Sequence, residues 1–557
     1  MHGWFLYLKR IGLFVFGFVY LVHKIVRNHR RLFNFVRFRA CVPKSSIKFM
    51  ILKKLLYILS AGLILFSVLF LNYACRKDAV FSTDASAQLK FSTDTLRIDT
   101  VFTNIGSAVR YFKIFNNYDQ SLRISKISIT QKTNTIAHLN VDGVSGSEFA
   151  NIEIAPHDSI YVFVTVNVNP NAPVSDSPFV IDEVINFVTN GSEQKVVVEA
   201  WGQNANYIPD RFSKGTLALL SGHDATKIIN WNDKKPYVIY GVLFVDSCVL
   251  RIAAGTKIHV HGGFGQLADH SSYRDGIIYV LQNAHIEALG TKDNPIIFQG
   301  DRLEQEYVDV PDQWAGIIMS DNCKGNIMNY TTVRNSRVGI RTDSSASLAL
   351  KNCKIYNIAS SGLLTQHSSV TAENCLFYNN GVNGLQIEFG GDYQLTYCTF
   401  SSLGSKNVAL SANNYRCYAQ TDLGVCTQAK IYRANLAMTN CIIYGGKDDE
   451  ISLSNASTDN VSNFNYGFTN CIVRVKDLLK VTNTPDFFKY CTNCINATGT
   501  TTPFKLFKST NTGDYHLDTL SLAHNQALFQ SKILTDLDAK NRDTQKPDIG
   551  CYEFQPK

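Results

Sequence analysis

The chain has 557 residues, of which 45% are apolar and 18% charged, and it contains 35 glycines but only 13 prolines. This composition excludes a disordered chain, a collagen-like protein and a proline-rich linker. Residues 1–74 carry 12 of the 54 basic residues and no acidic residue, so the rest of the chain has a net charge of −4. Nucleic-acid binding is therefore not expected, because no basic patch stands out in the folded part.

The N-terminal region predicts a secreted protein with a lipid anchor. Met50 starts a basic stretch followed by an apolar run, and residues 50–74 have the form of a secretory signal. The run ends directly before Cys75 and resembles the lipobox of bacterial lipoproteins, which implies cleavage before Cys75 and a diacylglyceryl group on its thiol. An uncleaved transmembrane helix is the alternative. Residues 1–49 are an upstream extension or an extra membrane segment, and residues 75–88 form a polar tether.

Residues 89–205 show the period-two alternation of β-strands and no helical period. Residues 160–168 alternate Val and Ile with aromatic and polar residues, and Asn190-Gly191 predicts a tight hairpin. About seven strands in a segment of this length are typical of a β-sandwich. The pattern resembles the immunoglobulin-like modules that precede β-helices in surface lipoproteins, which implies a spacer or a binding module.

Residues 206–557 contain an internal repeat of about 22 residues. A coil this short cannot bury its apolar side alone, so successive coils are expected to stack at the strand spacing of about 4.8 Å. We expect the repeated cysteines to lie above one another inside the stack and the repeated glycines to adopt positive φ. The cysteines are Cys353, Cys375, Cys398, Cys441 and Cys471, the glycines are Gly339, Gly362 and Gly384, and a ladder of side-chain amides is expected from Asn335, Asn357 and Asn379 or Asn380.

This repeat resembles the right-handed parallel β-helix proteins of the pectate-lyase-like architecture. The Gly-Thr turns at Gly255 and Gly290 and the C-terminal stretch 546–554 are also similar to that family. The resemblance implies an all-β chain in which an immunoglobulin-like β-sandwich (89–205) precedes a right-handed parallel β-helix with a C-terminal cap (206–557). A leucine-rich repeat, the alternative at this period, is excluded because its leucine pattern and helical segment are missing.

One polar position recurs in three successive coils and defines the candidate groove. Asp343, Gln366 and Glu388 share this position, and Arg341 lies two residues before Asp343. The resemblance implies polysaccharide chemistry, in which Asp343, Glu388 and Arg341 are the candidate catalytic residues of a lyase or a hydrolase. The alternative is an ordinary solvated face that binds without catalysis. No cofactor or metal site is expected, and Ca²⁺ enters only under the lyase hypothesis, because no coil carries three acidic residues.

Four cysteines outside the repeated column are candidates for disulfides. Cys417 and Cys426 bracket an insert between two coils. Cys491 and Cys494 form a Cys-x-x-Cys pair, for which a disulfide or two free thiols are the leading interpretations in an oxidising compartment.

The sequence thus predicts a lipoprotein of the bacterial cell envelope, held in the outer membrane by its lipid and facing either the periplasm or the cell surface. Its leading predicted function is noncatalytic binding of a polysaccharide or a surface glycan by a rigid, elongated scaffold. A polysaccharide lyase or glycoside hydrolase is the alternative.

Overall fold

The computed structural model describes residues 80–555 with internal gaps, so the proposed signal, Cys75 and residues 1–49 lie outside the described residues. The gaps are residues 103–106, 108, 131–134, 169–178, 211–216, 267–271, 305, 423–425, 457–462, 477–489 and 499–504. In the part of the chain that is described, no helix has the length and apolar character needed to cross a membrane. Nearly all of its regular structure is β-strand.

The first ten strands form a sandwich of two five-stranded sheets. They are β1 (Lys90–Phe91), β2 (Thr95–Phe102), β3 (Arg110–Phe115), β4 (Leu122–Thr130), β5 (Thr135–Val141), β6 (Val144–Gly146), β7 (Glu148–Ile154), β8 (Ser159–Val168), β9 (Phe179–Thr189) and β10 (Ser192–Gln203). One sheet has the order β1-β3-β8-β5-β6 and the other β2-β10-β9-β4-β7. Alternate apolar side chains such as Val162, Val164 and Val166 are fully buried in the core between them.

Two hairpins of the sandwich turn on a residue pair that accepts positive φ. Asn190 and Gly191 have φ of 51° and 83°, and they join β9 to β10 with the predicted two-residue loop. Asp142 and Gly143, with φ of 48° and 88°, make the same turn between β5 and β6. The sequence predicted about seven strands in this segment and the structure has ten; β5 and β6, which this Asp-Gly turn joins, are two of the strands that were not predicted.

From residue 206 the chain winds into coils whose strands stack in three parallel ladders, here called faces A, B and C. Face C is a separate 11-stranded sheet, whereas faces A and B are joined into one 17-stranded sheet by two long strands. Face A consists of Leu217–Ser221, Val242–Asp246, Ile277–Val280, Gly316–Met319, Ile340–Thr342, the first parts of Leu363–Glu373 and Leu385–Thr396, Leu410–Asn413 and Ile451–Ser454. Face B consists of Ile228–Trp231, Val249–Ala253, His285–Leu289, Asn326–Asn329, Ser347–Lys351, the last parts of the same two long strands, Ala434–Thr439, Phe464–Thr469 and Cys491–Thr492.

Face C consists of Asn206–Ile208, Tyr237–Ile239, Lys257–Val260, Ile296–Gly300, Thr331–Arg334, Lys354–Ile358, Leu376–Asn380, Thr399–Ser401, Ile442–Tyr444, Ile472–Val473 and Ile495–Asn496. Three antiparallel hairpins project from or follow the coils: Phe264–Gln266 with Ser272–Arg274, Tyr415–Gln420 with Cys426–Ile431, and Phe507–Ser509 with Asp514–Leu517. A short 3-10 turn, Thr510–Thr512, lies between the strands of the last hairpin.

The predicted column of cysteines is confirmed by the register of face C. The residues that directly follow the cysteines pair from coil to coil, Lys354 with Leu376 and Leu376 with Thr399. The repeated cysteines are buried in the interior core. The backbone N–H of Cys398 donates to Sγ of Cys441 at 3.4 Å, so the thiol of one coil reaches the cysteine backbone of the adjacent coil. The thiols therefore act as small apolar residues of a continuous core.

The residue before each cysteine makes the corner between faces B and C. Each of these residues has φ between 48° and 56°, in the left-handed region: Asn352, Asn374, Tyr397, Asn440, Asn470 and Asn493. Asparagine enters this region more easily than other non-glycine residues because its short amide bonds locally. Nδ2 of Asn374 donates to Oδ1 of Asn352 at 3.0 Å, which links adjacent corners. In each of these coils the residue before the cysteine thus forms one corner, and the cysteine itself occupies one core position.

The repeated glycines have a different role from the one expected. Gly339, Gly362 and Gly384 do not adopt positive φ, so that prediction was wrong. A Cβ on Gly339 would lie 2.2 Å from the carbonyl oxygen of Gly362, and one on Gly362 would lie 2.7 Å from Nδ2 of Asn380. Glycine is needed here because the backbones of successive coils approach too closely for any side chain.

The C-terminal segment packs along the outer side of face C. Its apolar side chains, including Leu517 and Tyr552, form a second cluster with Leu376, Ile442 and Ile472 of that face. The segment expected as a cap therefore covers a flank of the coils, and it brings new side chains beside the outer residues of face C.

Candidate functional site

The predicted groove residues form one hydrogen-bonded network on face A. Nε of Arg341 donates to Asp343 at 2.6 Å, and Nη2 of Arg341 donates to Oε1 of Gln366 at 3.3 Å. Nε2 of Gln366 donates to Oε2 of Glu388 at 2.8 Å, while Nε2 of Gln386 donates to Oε1 of Glu388 at the same distance. Asp343 and Glu388 are thus joined through Arg341 and Gln366, and the chain of amide, carboxylate and guanidinium groups spans three coils.

The two carboxylates of the network differ in their surroundings. Asp343 is almost fully buried, and burial raises the pKa of its carboxyl above the ordinary value, with a smaller upward contribution from Asp321. The guanidinium of Arg341 opposes this rise. Glu388 is half-buried and each of its oxygens accepts an amide hydrogen. Both carboxylates of the network are therefore fixed by hydrogen bonds, and neither is a freely exposed acid.

An aromatic wall borders the network, and the sequence did not predict it. His367 and Phe389 directly follow Gln366 and Glu388 and have φ of 52° and 64°, which turns the chain from face A to face B. The ring of Tyr432 lies 4.8 Å from His367 and 6.3 Å from Phe389, measured between centroids. Nothing in the sequence indicates that the chain turns at His367 and Phe389, because the positive φ of these residues cannot be recognised from their residue types.

The hairpin Tyr415–Gln420 with Cys426–Ile431 extends this wall. A disulfide joins Cys417 and Cys426 across the hairpin. The guanidinium of Arg416 lies 5.6 Å from the ring of Phe389 and, at the same distance, from the ring of Tyr418. The insert that the two cysteines bracket thus brings aromatic and cationic groups to the edge of face A.

Cys491 and Cys494 are free thiols, which is one of the two interpretations that the sequence left open. Both are half-buried beside the cysteine column, and Cys471 is the next member of that column. Hydrogen bonds from the Cys471 and Cys491 thiols lower the pKa of the Cys494 thiol. The pair closes the column of thiols at its C-terminal end.

The described residues offer no set of ligands for the Ca²⁺ that a lyase would use. Within the described ranges, no three His, Cys, Asp or Glu side chains are grouped so that they could hold a metal ion. Asp343 is also engaged by Arg341, whereas Ca²⁺ requires six to eight oxygen ligands. The groove on face A therefore does not fit this ion.

Residues 242–420 match the family described as the right handed beta helix region. The fold is a right-handed parallel β-helix. The matched range begins with Val242 of face A and includes the whole hydrogen-bonded network of that face. No curated protein matches the chain.

Among solved structures, the chain is similar to the catalytic unit of a GH87 α-1,3-glucanase from Streptomyces thermodiastaticus, with 9% identity, a TM-score of 0.24, and 70% of this chain and 68% of that one covered. A GH87 α-1,3-glucanase catalytic domain in complex with nigerose gives 11% identity and a TM-score of 0.16, with coverages of 66% and 82%. A protein of unknown function from Porphyromonas gingivalis shares 16% identity at a TM-score of 0.16, over 21% of this chain. The chain spans about half of that protein, 49%.

Proposed function

We propose that face A of the β-helix binds a polysaccharide or a surface glycan without cleaving it. The observation that carries this proposal is the network of Arg341, Asp343, Gln366, Gln386 and Glu388 beside an aromatic wall. Sugar hydroxyls both donate and accept hydrogen bonds; amide side chains do the same, and carboxylates accept from the hydroxyls. The C–H faces of a sugar ring pack on aromatic side chains, which the wall supplies.

The repeat of the fold supports an extended ligand over a small one. Neighbouring coils lie about 4.8 Å apart, which is comparable to the length of one sugar residue in a chain. The network places polar groups on three successive coils, so adjacent sugar units would meet similar groups. Because every member is already held by a neighbour, little side-chain entropy is lost when a ligand binds.

Glycan cleavage is the second candidate function, and one observation favours it. A buried carboxyl with a raised pKa, such as Asp343, is the type of group that donates a proton to a leaving oxygen. Against it, the Arg341 guanidinium pairs with this carboxyl, and both oxygens of Glu388 are occupied by amides. We therefore place binding before catalysis.

Replacement of Glu388 by alanine should weaken glycan binding about tenfold, because Gln366 and Gln386 lose the carboxylate that orients them. The measurement is binding of the purified protein to an array of plant and bacterial polysaccharides, followed by calorimetric titration of the bound glycan. Glu373→Ala is the matched control, since Glu373 lies on face B and is half-exposed. Equal affinity of the two variants would contradict the proposal. Product release by the wild type that is lost in Asp343→Ala would establish the enzyme instead.

We further propose that the protein is an envelope lipoprotein with a diacylglyceryl group on Cys75, placed in the outer membrane. The basic and apolar segment that ends at Cys75 supports this proposal. Several acyl chains together give stable anchoring. The β-sandwich, which we interpret as an immunoglobulin-like module, would hold face A away from the membrane.

Replacement of Cys75 by serine should abolish lipid attachment, because the thiol is the acceptor of the lipid. Cells that express the protein are labelled with a palmitate analogue, and the label on the purified protein is measured together with its partition into membranes. Cys491→Ser, which changes a half-buried thiol of the β-helix, should keep the label. Undiminished labelling of Cys75→Ser would show that this cysteine is not the lipid acceptor.

A further inference from the structure

A cleft of about 570 Å³ lies on the outer side of face C, apart from the face A network. Its volume falls within the range of about 300–1,000 Å³ that is typical of small-molecule sites. The cleft exists only because the C-terminal segment packs against face C, since residues 510–513 form one of its walls. No residue of the face A network lines it.

Two stacked tyrosines form the floor of this cleft. Tyr356 and Tyr378 are paired in register on adjacent coils, and their rings are nearly parallel with centroids 4.7 Å apart. Tyr515 of the C-terminal segment packs on Tyr378 with a centroid distance of 4.8 Å. Because its ring is packed between Tyr356 and Tyr515, Tyr378 offers its edge and its hydroxyl to a ligand. Burial raises the pKa of Tyr378, so that hydroxyl stays protonated and able to donate.

A chain of polar side chains runs along one side of the floor. Nδ2 of Asn379 donates to Oδ1 of Asn357, and Nδ2 of Asn357 donates to Oδ1 of Asp309 at 2.8 Å. This is the amide ladder expected at Asn357 and Asn379, whereas Asn335 donates instead to the backbone carbonyls of residues 308 and 310. Asp309 and Asn379 are exposed, so the two ends of the ladder face solvent at the cleft.

Two tight turns form the remaining rim. Gly404 and Gly513 have φ of 81° and 73°, a conformation that a side chain would strain. A Cβ on Gly513 would also lie 3.3 Å from the hydroxyl oxygen of Tyr378. Glycine at this position therefore keeps the tyrosine hydroxyl open to the cleft.

The lining selects a neutral, polyhydroxylated ligand. Among the described residues that line the cleft there is no Lys or Arg. The nearby guanidinium of Arg334 donates to the hydroxyl of Tyr356 at 3.4 Å and is also bonded to Gln299, so an anionic ligand would meet the carboxylate of Asp309 without a cation on the lining itself. The many amide and hydroxyl groups disfavour an apolar ligand, which would leave them without hydrogen bonds. A hexose satisfies both conditions, because its hydroxyls pair with the amides and the carboxylate while its C–H groups pack on the tyrosine edges.

We propose that this cleft, built from Tyr356, Tyr378, Asn357, Asn379 and Asp309, is a binding site for a neutral hexose, such as a single sugar unit of a glycan. The site is separate from face A, so it is tested with variants of its own lining residues. It would give the protein a second contact with a glycan on a different flank of the β-helix.

The test uses the full-length protein and three probes, the methyl glycosides of glucose, galactose and mannose, titrated in saturation-transfer NMR. We expect binding of at least one probe, and a dissociation constant that rises about threefold to tenfold in Asp309→Ala and in Tyr356→Phe, since each variant removes one hydrogen-bonding group. Asp119→Ala is the control, because Asp119 is an exposed residue of the sandwich. Asp309 is exposed, so its replacement does not threaten folding.

Each result decides the proposal. Weakening in the two cleft variants, with unchanged binding in Asp119→Ala, supports it. Failure of the wild type to bind any of the three probes overturns it, as does unchanged affinity in both cleft variants. Weakening in Glu388→Ala alone also overturns it, because the sugar would then bind on face A.

Discussion

Replacement of Arg542 by methionine should lower the free energy of unfolding by about 3–5 kcal/mol, the usual cost of breaking a buried ion pair by removing one partner. The Arg542 side chain is 0% exposed and donates to Glu553 at 3.2 Å and to Oδ1 of Asn374 at 2.8 Å. It also donates to the backbone carbonyls of Asp548 and Gly550. Methionine fills a similar volume but removes these donors. The Glu553 carboxylate then accepts only from the backbone N–H groups of Asp543 and Asp548 and has lost its countercharge. Urea unfolding followed by circular dichroism measures the loss.

Two further variants separate the buried pair from an ordinary surface contact. Arg97→Met removes an ion pair with Glu199 in which Arg97 is 80% exposed, and it should cost at most about 1 kcal/mol. Arg542→Met combined with Glu553→Gln should recover part of the stability, because no buried charge is left unpaired. Burial raises the pKa of Glu553, because the charged carboxylate is costly to keep away from water. This agrees with the expected loss of stability when its partner Arg542 is removed. A loss in Arg542→Met as small as that in Arg97→Met would contradict this account.

Replacement of Gly339 by alanine should destabilise the β-helix by about 1–3 kcal/mol through overpacking. The new Cβ would lie 2.2 Å from the backbone carbonyl oxygen of Gly362 and 2.8 Å from Cγ2 of Ile355. Neither of these atoms can move away from the Cβ unless the two adjacent coils separate. The measurement is the midpoint of urea unfolding relative to the wild type.

Gly467→Ala is the matched control for this prediction. Gly339 directly precedes the strand Ile340–Thr342, and Gly467 lies within the strand Phe464–Thr469, where a Cβ would meet no atom within 4 Å. Because alanine also restricts the unfolded chain, Gly467→Ala should be neutral or slightly stabilising. Equal unfolding midpoints for the two variants would show that the coils do not depend on the close approach at Gly339.

Much of the fold could be predicted because the repeat acts through the chemistry of single residues. Cys375 and Cys398 recur at the coil period and are small and apolar, so stacking places them in one column. Asn357 and Asn379 recur at one offset of the repeat and form the expected amide ladder, and Asn190-Gly191 accepts two positive φ angles. Each of these signals depends only on neighbouring residues. When such a signal recurs at a constant period along the chain, the strands of successive coils align into a sheet.

The candidate site was predictable only in part. The recurrence of Asp343, Gln366 and Glu388 placed one polar line on face A, because residues at one offset of a repeat share a face. Their hydrogen-bond partners and the wall at Tyr432 were not predictable, since an insert between coils has no period that fixes where it folds back.

The sequence by itself determined the coil period, the core column and the amide ladder at Asn357 and Asn379, because these follow from residue types at a constant spacing. Only the tertiary structure decided why Gly339 must be glycine, where Arg542 finds Asn374, 168 residues away in the chain, and how Thr510 and Tyr356 come to line one cleft. Those features depend on the distance between backbones and on the packing of a non-repeating segment. Neither the distance between backbones nor the packing of the C-terminal segment can be read from the spacing of residues, because both arise only when the coils are stacked and that segment lies against them.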